Sequence, residues 1–135
     1  MAAPTRFLPG VGHRGRVLAQ VTVDGLAWAC ALLLAAWIRF DFALDAQRFR
    51  MVVATAVAAV ALQNVVGHPL YLYRGRHPFG SFEEVRAVST TTVATSCVLL
   101  FGALTVPGRP LPASVPVTGG ALAILGMLMV RYLRR

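Results

Sequence analysis

The chain contains no lysine and few acids. All 13 of its cationic side chains are arginines, against five carboxylates, so the formal net charge is +8. Charged residues make up only 13% of the sequence, whereas soluble domains carry about a quarter. Hydrophobic residues make up 57% and the mean hydropathy is +0.67. These values exclude a soluble globular domain, and 135 residues leave room for about four membrane spans but not for an enzyme domain as well.

Arrangements of residues that could bind a metal or catalyse a reaction are also scarce. The two cysteines lie within apolar stretches, and no pair of cysteine, histidine or acidic residues has a spacing typical of metal ligands. No nucleophile stands near a general base, and the sequence contains no P-loop. We therefore expect this chain by itself to hold no metal, no cofactor and no catalytic residue.

Four apolar stretches dominate the sequence, and each is long enough to cross the hydrocarbon layer as a helix of about 20 residues. They cover residues 17–38, 51–73, 84–107 and 112–131. They lack the alternation of barrel strands, so helix is the state that satisfies the backbone in lipid. The sequence predicts an all-α membrane protein, with a basic tail at 1–16 and a four-transmembrane-helix bundle at 17–135.

The arginines predict the orientation of these spans. The N-terminal tail, the second loop and the C-terminal tail hold nine of the 13, and the other two loops hold four. By the positive-inside rule both termini lie in the cytoplasm. We expect a multi-pass protein of a bacterial cytoplasmic (inner) membrane, whose high pI reflects contact with lipid headgroups and not with nucleic acid.

Asp24 is the one acid that interrupts a predicted span away from its ends, and an intramembrane acid is a functional hypothesis by default. It lies about 10 Å along the helix from Val17. Arg16, Arg74 or Arg131 could reach it from the same membrane side. We favour a structural ion pair, and a headgroup or substrate role and transport chemistry are the alternatives.

Other polar and small residues within the spans indicate helix packing. Gln63 and Asn64 fall near the middle of the second span, and such side chains hydrogen-bond across helices or to their own backbone. Small residues at four-residue spacing predict close helix contacts, either within a compact bundle or in a dimer, and the sequence does not separate the two. The small residues are Ala27, Ala31 and Ala35, then Ala54 and Ala58, then Gly119 and Ala123. Pro69 is expected to kink the second helix near its cytoplasmic end.

The second loop is rich in arginine and aromatic residues. Ser81 and Glu84 have the spacing of a capping box, so the third helix should begin near Phe82. Arg74 and Arg76 precede it. The segment is either an ordinary re-entry turn, the simpler interpretation, or a cytoplasmic docking surface. The candidate interaction residues are therefore Asp24, Arg74, Arg76, Glu84 and Arg131.

Three segments of the chain carry a resemblance to a known family. They are Val23-Asp24-Gly25-Leu26 with Arg39-Phe40-Asp41, then Leu72-Tyr73-Arg74-Gly75-Arg76 with Ser81-Phe82-Glu83-Glu84-Val85, and Leu111-Pro112-Ala113-Ser114-Val115 with Val130-Arg131-Tyr132. Together they resemble the N-terminal four-helix membrane domain of bacterial polysaccharide-biosynthesis proteins, the membrane-bound nucleoside-diphosphate-sugar 4,6-dehydratases and epimerases.

The resemblance implies an anchoring or assembly role. In that family a cytoplasmic Rossmann-type domain follows the fourth helix and binds NAD and a UDP-sugar, so NAD is expected only there, and no catalytic residue carries over to this chain. The implied partners are a cytoplasmic nucleotide-sugar enzyme domain or glycan-assembly proteins. Whether copies of the chain form a homo-oligomer is left open. Two alternatives are the membrane domain of a polyprenyl-phosphate sugar-phosphate transferase and a small four-helix transporter or lipid-linked-sugar flippase.

Overall fold

The computed structural model describes residues 13–69, 82–107 and 111–133. Within these ranges the chain forms helices and no strand: α1 His13–Arg39, α2 Ala46–Gly67, α3 Phe82–Thr105 and α4 Ser114–Leu133. All four are long and apolar enough to cross a membrane, α1 over Val17–Arg39. The predicted fold class, an all-α bundle of four transmembrane helices, is confirmed, and the chain is a multi-pass membrane protein.

The helices form a closed ring in chain order. Each packs against its sequence neighbours, and α4 packs most extensively against α1. Across the diagonals, no described Cα atom of α1 lies within 8 Å of α3, nor one of α2 within 8 Å of α4. Asp24, early in α1, hydrogen-bonds Arg131, late in α4. Neighbouring helices therefore run antiparallel, and the ring brings the start of α1 beside the end of α4.

The outer surface of the ring is apolar. Leu26 is 61% exposed and Phe101 is 68% exposed, and large hydrophobic side chains face outward on every helix. The largest side chains fully buried inside are Trp28, Leu32 and Met127. Lipid tails solvate an apolar exterior as well as a protein core does, so close packing and polar contacts must hold the helices together.

Helix α4 approaches its neighbours through glycine. A Cβ atom added at Gly119 would lie 2.6 Å from Cδ2 of Leu32, and one added at Gly120 would overlap the hydroxyl of Ser96. A Cβ atom at Gly126 would lie 3.6 Å from Cβ of Ala27. The backbone of α4 therefore packs directly on side chains of α1 and α3, which is the close approach that small residues permit.

The structure places the small residues of α1 and α4 at contacts inside the bundle, but it leaves those of α2 on the outer surface. Ala31, Ala35 and Ala123 are buried, whereas Ala54 and Ala58 are exposed. The buried face of α2 consists of Val52, Ala56, Ala59, Gln63 and Gly67. Alanine is common all round this helix, so its spacing alone does not select a face.

The ends of α2 also differ from the predicted span. The helix begins at Ala46 because the Asp45 carboxylate accepts a hydrogen bond from the backbone N–H of Arg48, at 2.7 Å. It ends at Gly67, so Pro69 follows a helix end instead of kinking a continuous helix. The remainder of the predicted span lies outside the described residues, as do Arg74, Arg76 and Ser81. Helix α3 begins at Phe82, as predicted.

Candidate functional site

Three charged side chains from three helices meet inside one end of the ring. Nη2 of Arg131 lies 3.1 Å from Oδ1 and 3.0 Å from Oδ2 of Asp24. Nη1 of the same guanidinium lies 3.7 Å from Oε1 of Glu84. We call Asp24, Glu84 and Arg131 the ion triad. Because they come from α1, α3 and α4, the triad joins the start of α3 and the end of α4 to the first half of α1.

The ion triad is shielded from its surroundings. The side chains of Asp24 and Arg131 are 2% and 8% exposed, and that of Glu84 is 12% exposed. Burying a charge away from water costs roughly several kcal/mol, unless an opposite charge and hydrogen bonds compensate for the lost hydration. Here one guanidinium faces two carboxylates, and Asp24 and Glu84 make additional interactions. Asp24 is thus engaged in an ion pair, in the arrangement that the sequence favoured.

The sequence indicated Arg131 as one of three possible partners of Asp24, but it did not predict that Glu84 joins them. All three were candidate interaction residues, and the fold brings them together. Of the three arginines considered as partners of Asp24, Arg131 forms the pair. Arg74 and Arg76 lie outside the described residues, as does the side chain of Arg16.

A second polar group lies further into the ring, and we call it the central polar cluster. Its members are Trp28, Gln63, Thr92, Thr95 and Met127, all fully buried or nearly so. Oε1 of Gln63 accepts hydrogen bonds from Nε1 of Trp28 at 3.3 Å and from the Thr95 hydroxyl at 3.2 Å. Nε2 of Gln63 donates to the Thr92 hydroxyl at 3.4 Å.

The central polar cluster includes side chains from all four helices. The sulfur of Met127 on α4 lies 3.9 Å from both Gln63 Nε2 and Thr92 Oγ1. The Thr92 hydroxyl donates to the carbonyl of Val88 in its own helix at 2.8 Å and so is free to accept from Gln63. Gln63 is therefore the central residue through which α1, α2 and α3 are hydrogen-bonded.

The sequence indicated Gln63 as a packing residue but missed Trp28. Its signal was present, because an indole N–H buried in mid-span needs an acceptor, and Trp28 lies one helical turn after Asp24 on the same face of α1. Asn64 behaves differently from its neighbour, since its Nδ2 donates to the carbonyl of Val60 within α2, at 2.7 Å.

Two cavities lined by described residues are small. An apolar groove of about 290 Å³ lies between α2, α3 and the start of α4, and its lining includes Ala54, Ala58, Val98 and Leu111. A second pocket of about 220 Å³ lies between the end of α1 and the start of α4. Known ligand pockets span roughly 300–1,000 Å³, so neither matches a nucleotide-sized ligand. Among the described residues no three histidine, cysteine or acidic side chains cluster in a way that could hold a metal ion.

Comparisons with protein-family models, with curated protein sequences and with solved structures find no match to this chain. The ion triad and the central polar cluster thus stand on their geometry alone. Both are buried networks that join helices, and neither presents a reactive group to solvent.

Substitutions in the ion triad should destabilise the bundle, and the effects of two such substitutions should not be additive. We expect Arg131→Gln to lower the free energy of unfolding by about 3–5 kcal/mol, because it removes the guanidinium that two carboxylates share. Asp24→Asn should cost less, since Glu84 still faces Arg131. The double variant should cost less than the sum of the two, with a coupling energy of about 1–3 kcal/mol. Detergent-denaturation titrations followed by circular dichroism measure all three.

Arg86→Gln is the matched control, because Arg86 is exposed on α3, and it should change stability by less than about 0.5 kcal/mol. Strictly additive effects of Asp24→Asn and Arg131→Gln would contradict the pairing.

The central polar cluster predicts different effects for two adjacent residues. Gln63→Leu removes three interhelical hydrogen bonds worth about 0.6 kcal/mol each in a membrane protein, so we expect a loss of about 2 kcal/mol. Asn64→Leu removes a bond within α2 and should cost clearly less. The same titrations measure both variants, and equal losses would show that Gln63 does not join the helices.

Proposed function

We propose that this chain is a membrane-anchoring and assembly module for bacterial nucleotide-sugar chemistry, of the kind found in polysaccharide-biosynthesis dehydratases and epimerases. It performs no catalysis by itself. It holds a cytoplasmic enzyme domain, fused or separate, beside the membrane where glycan precursors are used.

This proposal rests on the observation that the three segments that carry the family resemblance meet in the structure. Asp24 comes from the first segment, Glu84 from the second and Arg131 from the third, and they form the ion triad. The residues on which the resemblance rests therefore share a physical role. They hold the first half of α1, the start of α3 and the end of α4 together at one level.

That role suits an anchor. The N-terminal tail, the connection between α2 and α3, and the C-terminal residues all leave the bundle at the triad end, since neighbouring helices are antiparallel. These are the segments that hold nine of the 13 arginines, so the positive-inside rule assigns the triad end to the cytoplasm. NAD and nucleotide sugars are used on that side in the family that the chain resembles.

The alternatives have less support. A proton-coupled transporter or flippase would use Asp24 as its coupling acid, yet both oxygens of Asp24 accept from Arg131 inside the bundle. The membrane domain of a sugar-phosphate transferase would present the same platform, and no feature of the described helices favours it over the dehydratase family.

Fractionating the native host tests the proposal. We expect wild-type membranes to convert UDP-sugars to 4-keto-6-deoxy products with NAD, and this activity to leave the membrane pellet when the coding region for residues 17–135 is deleted. Restoring the wild-type bundle should return it. Restoring the Arg131→Gln bundle should return less in proportion to its lower abundance, because the triad acts on folding and not on chemistry.

Arg86→Gln serves again as the matched control and should restore activity fully. Pellet activity that is unchanged by the deletion, or absent from wild-type membranes, would refute the proposed function.

A further inference from the structure

The pocket between the end of α1 and the start of α4 has the features of a small binding site. We call it the loop pocket, and it is lined by Ala35, Ile38, Arg39, Asp41, Ser114 and Thr118. Arg39 is the last residue of α1, about 22 Å along the helix from Asp24 at 1.5 Å per residue. The loop pocket therefore lies at the end of the bundle opposite the ion triad.

Aromatic residues place this end at a membrane boundary. The apolar span of α1 ends at Arg39, and Trp37 and Phe42 stand beside it, 51% and 74% exposed. Their ring centroids lie 6.3 Å apart. Exposed aromatic rings next to the end of a span are typical of the headgroup layer. The groups within reach of the loop pocket are thus lipid headgroups.

Two opposite charges line the loop pocket without pairing. In the described ranges neither the Arg39 guanidinium nor the Asp41 carboxylate has a hydrogen-bond or ion-pair partner, and both side chains are exposed. The next acid and arginine along the chain behave differently, because Asp45 and Arg48 form an ion pair at 3.5 Å. A pocket lined by a cation and an anion that do not pair with each other matches a ligand that carries one charge of each sign.

The loop holds the acid in a fixed conformation. Asp41 and Phe42 have φ angles of 50° and 64°, in the left-handed region. Backbone bonds from Phe42 N to Trp37 O at 2.8 Å and from Ala43 N to Phe40 O at 2.9 Å hold this turn. The carboxylate of Asp41 is thereby presented to the loop pocket by a defined turn instead of a loose segment.

We propose that the loop pocket binds the headgroup of a phospholipid that carries a primary amine, of the phosphatidylethanolamine type. Arg39 and the hydroxyls of Ser114 and Thr118 would donate to the phosphate, since a guanidinium binds phosphate strongly. Asp41 would accept hydrogen bonds from the ammonium. Ala35 and Ile38 form an apolar wall for the start of an acyl chain, and the volume of about 220 Å³ suits a headgroup.

Native mass spectrometry of the detergent-purified full chain tests this assignment. The protein is titrated with phosphatidylethanolamine, phosphatidylcholine and phosphatidylglycerol of identical acyl chains. We expect the ethanolamine lipid to bind about three- to tenfold more tightly than the choline lipid, because a quaternary ammonium cannot donate hydrogen bonds to Asp41. Asp41→Asn should abolish that preference, and Arg39→Gln should weaken binding of all three lipids.

The variants are chosen to leave the fold intact. Asparagine tolerates the left-handed conformation that Asp41 adopts, so Asp41→Asn changes the charge and not the turn. Asp45→Asn keeps an N-cap residue on α2 and Arg50→Gln removes an exposed arginine; both controls should keep the wild-type preference. The wild-type comparison of the three lipids is decisive even where a variant fails to fold.

Several results would overturn the proposal. Equal binding of the ethanolamine and choline lipids by the wild type would show that Asp41 does not distinguish the two headgroups. Strongest binding of the glycerol lipid would indicate a simple anion site. Loss of the preference in Asp45→Asn would assign it to general surface charge. Equally tight binding of soluble glycerophosphoethanolamine would mean that the ligand is a water-soluble zwitterion and not a lipid.

Discussion

The whole bundle depends on the requirement that polar groups within hydrocarbon find partners inside the protein, because lipid offers none. Two networks meet this requirement here. The ion triad pairs the charges near one end of the ring, and the central polar cluster provides hydrogen-bond partners for the side chains around Gln63. The exterior is apolar on all four helices, so it gives little preference for one helix order over another. The contacts between Asp24 and Arg131 and around Gln63 are therefore what specify the ring.

Most of the fold could be predicted from the sequence. The number and class of the helices follow from stretch length and apolarity, which are local properties. The predicted positions of the helix ends were less accurate, since α2 begins at Ala46, where Asp45 caps it. Apolarity does not mark such an end, because a helix can extend past the hydrocarbon layer while its arginines reach the headgroups. The spacing of small residues did not show which stripes face the bundle, and Ala54 and Ala58 of α2 lie on the outer surface, since alanine spacing carries no information about which neighbour a face meets.

The sequence indicated which residues belong to the candidate site, but it did not show how they are arranged. Asp24 stood out as an acid within a span, but which arginine reaches it depends on which helix lies beside α1, and this is a property of the ring. The same holds for Trp28 and Gln63, which are separated by 35 positions and are hydrogen-bonded. If the proposed anchoring function is correct, the site acts by keeping helix ends aligned for an attached enzyme, and the loop pocket at the other end would add a lipid contact.

The most direct test of this account is the packing of α1 against α4 in native membranes. A Cβ atom at Gly126 would lie 3.6 Å from that of Ala27, within the range of about 3.5–4.5 Å that a disulfide requires. With Cys30 and Cys97 replaced by alanine, Ala27→Cys with Gly126→Cys should form an intramolecular disulfide under mild oxidation. The diagonal pair at a similar level, Ala27→Cys with Ala94→Cys on α3, should form none, because no described Cα atom of α1 lies within 8 Å of α3. Disulfide formation by the diagonal pair, or none by the α1–α4 pair, would contradict the closed ring and the ion pair that it makes possible.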